Sequence, residues 1–127
     1  MEQICLGLAT AITLLALIAH VTIGTAQNAS PILKNKSLPE GPRNTLTFSW
    51  KANSILMLFM IAAFGYGFVD GFVDGIGSLV LYNALLAGGL AVSAAFVALR
   101  AGINPLKFPP MPLFAGIAML GVCSYLL

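Results

Sequence analysis

The chain has 127 residues, 59% of them hydrophobic and 8% charged, with six Lys/Arg against four Asp/Glu and a net charge of +2. A mean hydropathy of +0.97 excludes ordinary globular usage, where roughly a quarter of residues are charged, and the small positive balance argues against a nucleic-acid partner. Such a composition predicts an all-α membrane protein, because a lipid core of roughly 30 Å is crossed by about 20 apolar residues whose backbone groups are satisfied within their own helix.

The first apolar stretch, residues 4–24, is long enough to cross. A secretory signal is the competing reading, since the run ends near Gly24, Thr25 and Ala26. Against it, Glu2 and no Lys or Arg precedes the run, which also exceeds an ordinary signal core. The segment is therefore read as a retained span, with Cys5 near one end and His20 about one turn from the other.

Residues 25–47 carry Pro31, Pro39, Gly41 and Pro42, which predicts a connection without a continuous helix. Its Ile32, Leu33 and Leu38 are suited to rest against the interface, and the Asn-x-Ser sequences at Asn28 and Asn35 are read as chance.

The second span, 48–69, opens with Trp50, Lys51, Asn53 and Ser54. An indole and an ammonium at a helix start are ordinary interfacial anchors. Further along, Phe59, Phe64, Tyr66 and Phe68 are expected to fill space that a slimmer neighbour leaves open.

A tandem repeat, Phe68-Val69-Asp70-Gly71 then Phe72-Val73-Asp74-Gly75, follows. Four-residue spacing would stack Asp70 and Asp74 on one helical face, where a cation could sit. The glycines between Gly67 and Gly77 favour a tight turn with solvated Asp side chains, so no metal is assigned.

The third span, 76–99, supplies the slim neighbour. Ala84 with Gly88, and Ala87 with Ala91 and Ala95, form small-x-x-x-small rows that let helix backbones approach closely in lipid. Asn83 is placed to bond across to Thr10, Thr13 or Tyr66 as structural glue. The fourth span, 111–127, is the shortest. Its Cys123 lies at the same depth as Cys5, which makes a candidate disulfide; neither belongs to a Cys-x-x-Cys pair.

Together these give one domain over 1–127, four transmembrane helices in an antiparallel bundle. Lys34, Lys36, Arg43 and Lys51 lie in or beside the first connection and Arg100 and Lys107 flank the third. By the positive-inside rule both connections are cytoplasmic and both termini lie on the outer, periplasmic side of a bacterial inner membrane.

Ionisable groups inside a membrane are the first place to look for function. No Asp or Glu lies within a span, which argues against proton-coupled exchange by a single chain. No nucleophile and base pair can be read, so an enzyme is not expected. What remains is His20, level with Trp50, Lys51, Asn53 and, on the third span, Arg100. These five form a candidate ligand-binding cluster suited to an anionic lipid, a quinone headgroup or a haem propionate. Haem ligation would need Met57, Met60 or a partner chain as second axial ligand, and no cofactor is named. The plainer alternative is a hydrogen-bonded structural His beside belt residues.

One resemblance rests on His20-x-x-x-Gly24, Pro31-Ile32-Leu33, Leu38-Pro39, Arg43 and Trp50-Lys51. This pattern, over about residues 14–54, resembles a group of small, functionally uncharacterised bacterial four-helix membrane proteins with His-x-x-x-Gly, a Pro-Leu-Leu-like step and a Trp-His pair. The resemblance implies the four-helix architecture. Lys51 stands where the group has its second His, so a site built on two imidazoles is not implied for this chain.

The expected role is a structural or accessory subunit, a helix-packing partner in a larger membrane complex or homo-oligomer, bathed in membrane lipids. The alternatives are a binder of a lipid, quinone or haem-like molecule at the basic end, and an oligomeric transporter or channel.

Overall fold

A computed structural model describes residues 1–72 and 75–127. Among the described residues five α-helices make up the fold: α1 (Glu2–Ala19), α2 (Ser30–Leu33), α3 (Glu40–Asp70), α4 (Ile76–Arg100) and α5 (Pro110–Leu126). A π-helical segment, His20–Ala29, joins α1 to α2 without a break, giving one helical run of 32 residues. Among the described residues, three helical runs, Glu2–Leu33, Glu40–Asp70 and Ile76–Arg100, are long and apolar enough to cross a membrane, while Pro110–Leu126 is shorter.

The proline-rich connection is much shorter than the sequence suggests. Helix continues to Leu33 and resumes at Glu40, leaving only residues 34–39 between. Pro42 falls in the first turn of α3, where backbone N–H groups have no intrahelical partner to lose. Pro31 sits at the start of α2, just beyond the π segment. A widened turn relieves the clash that a pyrrolidine ring makes with the preceding carbonyls in a regular α-helix.

Each long helix presents one narrow seam to the core. The buried positions run Leu6, Ala9, Thr13, Ala16 on α1; Met57, Met60, Ala63, Phe64, Gly67 on α3; Val80, Asn83, Ala84, Ala87, Ala91, Ala94, Ala98 on α4; and Phe114, Ile117, Gly121, Ser124 on α5. Steps of three and four, widened by the adjacent pairs Ala63–Phe64 and Asn83–Ala84, keep a single stripe facing the neighbours. α1 packs on α3 and α5, and α4 packs on the same two, so the helices close a ring.

The most extensive contact, α4 with α5, depends on small side chains. A Cβ built on Gly121 would stand 2.7 Å from Ala84 Cβ and 3.1 Å from Phe64 Cε1. Phe64 is fully buried there, whereas Phe59, Tyr66 and Phe68 turn outward at 65%, 51% and 47% exposure. Only one of the four expected space-filling aromatics therefore does that work, because the others lie off the seam of α3. On α4 the buried row is Ala84, Ala87, Ala91, Ala94, Ala98, with Gly88 and Ala95 half-buried beside it. The expected rows lie at the contacts, with Ala84, Ala87 and Ala91 buried and a Cβ on Gly88 3.8 Å from Ala118 of α5; only Ala95 leaves the buried seam, which passes to Ala94 because it follows a period near 3.5.

Buried polar groups are satisfied locally. Thr13 Oγ1 donates to the Ala9 carbonyl at 2.6 Å, Asn83 Nδ2 to Leu79 at 2.9 Å and Ser124 Oγ to Gly121 at 2.7 Å. Asn83 thus bonds within its own helix and makes none of the cross-helix bonds expected of it. At the opposite end from His20, Gly71 (φ 72°) ends α3 and Gly75 (φ 85°) precedes α4, the left-handed conformations that glycine accepts without penalty. Asp70 is exposed; Asp74, its expected partner on a helical face, lies outside the described residues.

Candidate functional site

The sequence His20-Val-Thr-Ile-Gly-Thr puts four β-branched residues and a glycine among its six positions, all weaker helix formers than Ala or Leu. A regular α-helix is locally less favoured here, and the chain takes the wider π turn instead. Into this widened segment the indole of Trp50 inserts from α3. A Cβ on Gly24 would come within 3.3 Å of Trp50 Cη2 and Cζ2, so the glycine gives the ring its seat.

Three hydrogen bonds close a circuit around that seat. Trp50 Nε1–H donates to Thr25 Oγ1 at 3.1 Å, and the Thr25 hydroxyl donates to the His20 carbonyl at 3.2 Å. His20 Nε2 then lies 3.2 Å from the Trp50 carbonyl. A carbonyl only accepts, so Nε2 carries the proton and Nδ1 is the acceptor of the neutral ring. The imidazole also stacks on the indole, with centroids 4.0 Å apart and planes inclined by 22°. Ser54 Oγ adds a further donor to the Trp50 carbonyl, at 3.3 Å.

The arrangement restricts the chemistry open to His20. One nitrogen is held by the Trp50 carbonyl and one ring face is covered by indole, so axial ligation of a haem through Nε2 would break the circuit. Met57 and Met60, the intrachain candidates for the second ligand, are buried in the core seam. Among the described residues, no three His, Cys, Asp or Glu side chains group in a way that could hold a metal ion.

The other members of the expected cluster take no part in this circuit. Lys51 is exposed, one residue round the helix from Trp50, and Asn53 is half-buried. Arg100 is exposed and its guanidinium carbon lies 4.9 Å from the centroid of the Phe96 ring, a cation–π contact within its own helix. The site contains two residues that sequence reasoning left out of the cluster. By sequence Thr25 falls in the connection 25–47 and Gly24 belongs to the His-x-x-x-Gly pattern. The signal available was Gly24-Thr25 one turn after His20, small and hydroxylated positions able to receive an indole.

Two concave surfaces lie nearby or beyond. A small cleft of about 160 Å³ is lined by Asn28, Ala29, Ile32, Leu33, Leu46 and Trp50. An open groove of about 520 Å³ runs between α4 and α5, floored by Ala84, Gly88 and Ala118 and walled by Leu85, Val92 and Met119. Cys123 lines this groove. Both it and Cys5 are free thiols, so the expected disulfide is absent: Cys123 is turned toward the α4 edge, off the buried seam of α5.

Comparison with protein families, with curated proteins and with solved structures gave no match. The helical fold, its two concave surfaces and the His20–Trp50–Thr25 circuit therefore carry the functional reading by themselves.

Proposed function

We propose that this chain is a small integral membrane protein, an antiparallel bundle that crosses the bilayer four times with both termini on the periplasmic side of a bacterial inner membrane. Its role is that of a packing subunit, joining copies of itself or a larger membrane complex. The four-helix resemblance of residues 14–54 agrees with this architecture. The observation that carries the role is the α4–α5 groove, about 520 Å³ and open to the side, with Ala84, Gly88 and Ala118 at its floor. In lipid, where apolar burial drives nothing, a floor of small residues is what lets a further helix approach closely. Native mass spectrometry from nanodiscs tests it. An assembly of defined stoichiometry is expected, lost in Val92→Trp, which closes the groove from a rim position that is 71% exposed. A strictly monomeric particle without companion chains would sink the reading.

A second reading has its own observation. Trp50, which the circuit seats, also lines the 160 Å³ cleft, and a cleft of that size favours the lipid among the lipid, quinone and haem-like ligands expected at the basic end. Small molecules retained by the purified protein are its measure. His20→Ala and Lys51→Ala should change that profile, and an unchanged profile would remove this site from consideration.

A further inference from the structure

We propose that the cleft beside Trp50 is a binding site for one anionic phospholipid, with Arg43 as the residue that receives its phosphate. This rests on the membrane-spanning reading above and names a ligand for its basic end.

The walls of the cleft come from two elements. Ala29, Ile32 and Leu33 stand on the end of the first helical run, and Leu46 and Trp50 on α3. At about 160 Å³ it falls below the roughly 300–1,000 Å³ of pockets that hold drug-sized ligands or cofactors. A porphyrin does not fit; a few methylene groups of an acyl chain do. The lining is apolar apart from the Asn28 amide and the indole, which suits an acyl chain with a polar end pointing outward.

The rim supplies the charge. Arg43, Leu46 and Trp50 are spaced three and four residues apart, so they share one face of α3. Arg43 is half-buried, whereas Pro42 and Asn44 on either side are exposed. Seven residues separate it from Trp50, about 10 Å along the helix. Indoles settle at the edge of the hydrocarbon, and the headgroup layer adds about 6 Å on each side of the core. With Trp50 at the hydrocarbon boundary the Arg43 backbone therefore stands about 4 Å outside the headgroup layer, a distance that the long arginine side chain spans by reaching back to the phosphates. Guanidinium binds phosphate through two parallel N–H donors. Lys34, Lys36 and Lys51 complete a basic end in which Glu40 is the single carboxylate between residues 25 and 51, and this balance selects an anionic headgroup over a zwitterionic one.

Trp50 is the only tryptophan in the chain and reports its own neighbours. The protein is reconstituted in phosphatidylcholine vesicles containing a minor fraction of either chain-brominated phosphatidylglycerol or chain-brominated phosphatidylcholine. Quenching of Trp50 by both is expected, with a clear preference for the brominated anionic lipid. Arg43→Gln should weaken that preference about fivefold, the effect of one cation near a charged lipid surface. Lys36→Gln, which removes the same charge from the exposed connection, should leave most of it in place. Ala29→Leu, which fills the cleft with the basic residues intact, should also abolish it.

Equal quenching by the two lipids overturns the site while leaving membrane insertion standing. Equal losses in Arg43→Gln and Lys36→Gln overturn it too, since the preference would then come from a diffuse field. Quenching by neither lipid overturns both the site and the membrane-spanning reading.

Discussion

His20 and Trp50 are joined twice: the imidazole Nε2 lies 3.2 Å from the Trp50 carbonyl, and the two rings stack with centroids 4.0 Å apart. A stacked aromatic pair contributes about 0.5–1.5 kcal/mol beyond its buried area, and a net hydrogen bond about as much again. The two side chains should therefore be energetically coupled. Trp50→Ala keeps the backbone carbonyl that His20 bonds, so in a double-mutant cycle of His20→Ala and Trp50→Ala, read by reversible unfolding in mixed micelles, the coupling energy is that of the stack, about 0.5–1.5 kcal/mol. Additive losses would show that the stack is a contact without energetic consequence.

Thr25 does two jobs in the same circuit, accepting from the indole and donating to the His20 carbonyl. Thr25→Val keeps the shape and removes both bonds. Leaving the indole N–H without a partner in this part-buried site costs about 1 kcal/mol, the low end of the range for a buried donor, so the unfolding midpoint should fall accordingly. Thr25→Ser restores the hydroxyl and should recover most of the loss. Should valine prove as stable as threonine, the indole N–H is satisfied by something other than this hydroxyl.

Two glycines on α5 should respond oppositely to the same substitution. A methyl at Gly121 meets Ala84 Cβ at 2.7 Å and the Phe64 ring at 3.1 Å, whereas one at Gly116 meets nothing within 4 Å. Overpacking of this kind costs about 1–3 kcal/mol. Gly116→Ala gains helix propensity, up to about 1 kcal/mol. Gly121→Ala should therefore lower the thermal midpoint in detergent and Gly116→Ala should hold or raise it. Ala84→Gly combined with Gly121→Ala should recover part of the loss. Equal behaviour of the two single variants would contradict the close α4–α5 approach.

The helices were legible because their information is local. Long apolar runs mark three of them directly, and Gly71 and Gly75 mark the turn between α3 and α4 by their own conformational freedom. The extent of the first and second helices was not, because Pro31 and Pro42 are read as breakers whatever their position. Pro42 is harmless in a first turn, and Pro31 is tolerated only beside a π segment. A π turn has no signature of its own in this sequence; it is set by the meeting of His20, Gly24 and Thr25 with an indole 25 residues further along the chain from Thr25. The site was legible to the same degree. His20 and Trp50 stand out as rare polar groups near span ends, and the structure brings them together. Arg100 shared only their expected depth, and depth fixes neither azimuth nor neighbour; its guanidinium lies over Phe96. Asn83 shows the same limit, since a buried amide can satisfy itself on its own helix as well as across an interface.

Cys5 and Cys123 carry a last prediction, one that bears on assembly as well as on redox state. Both thiols are free, so alkylation in denaturant without reductant should add two labels per chain, and prior reduction should leave that mass unchanged. The two should then differ in the folded protein. Cys123 is exposed and lines the α4–α5 groove with Ala84, Leu85 and Gly88, while Cys5 is half-buried on α1. Reaction with a small maleimide requires thiolate and access, and access to Cys123 is what a helix seated in the groove would remove. Cys123 should label faster than Cys5 in a detergent monomer, and its advantage should shrink in native membranes where the subunit is assembled. The groove-blocking Val92→Trp should restore fast labelling in membranes by keeping the partner helix out. An unlabelled pair before reduction would establish the disulfide instead, and equal Cys123 rates in monomer and membrane would take the partner helix out of the groove.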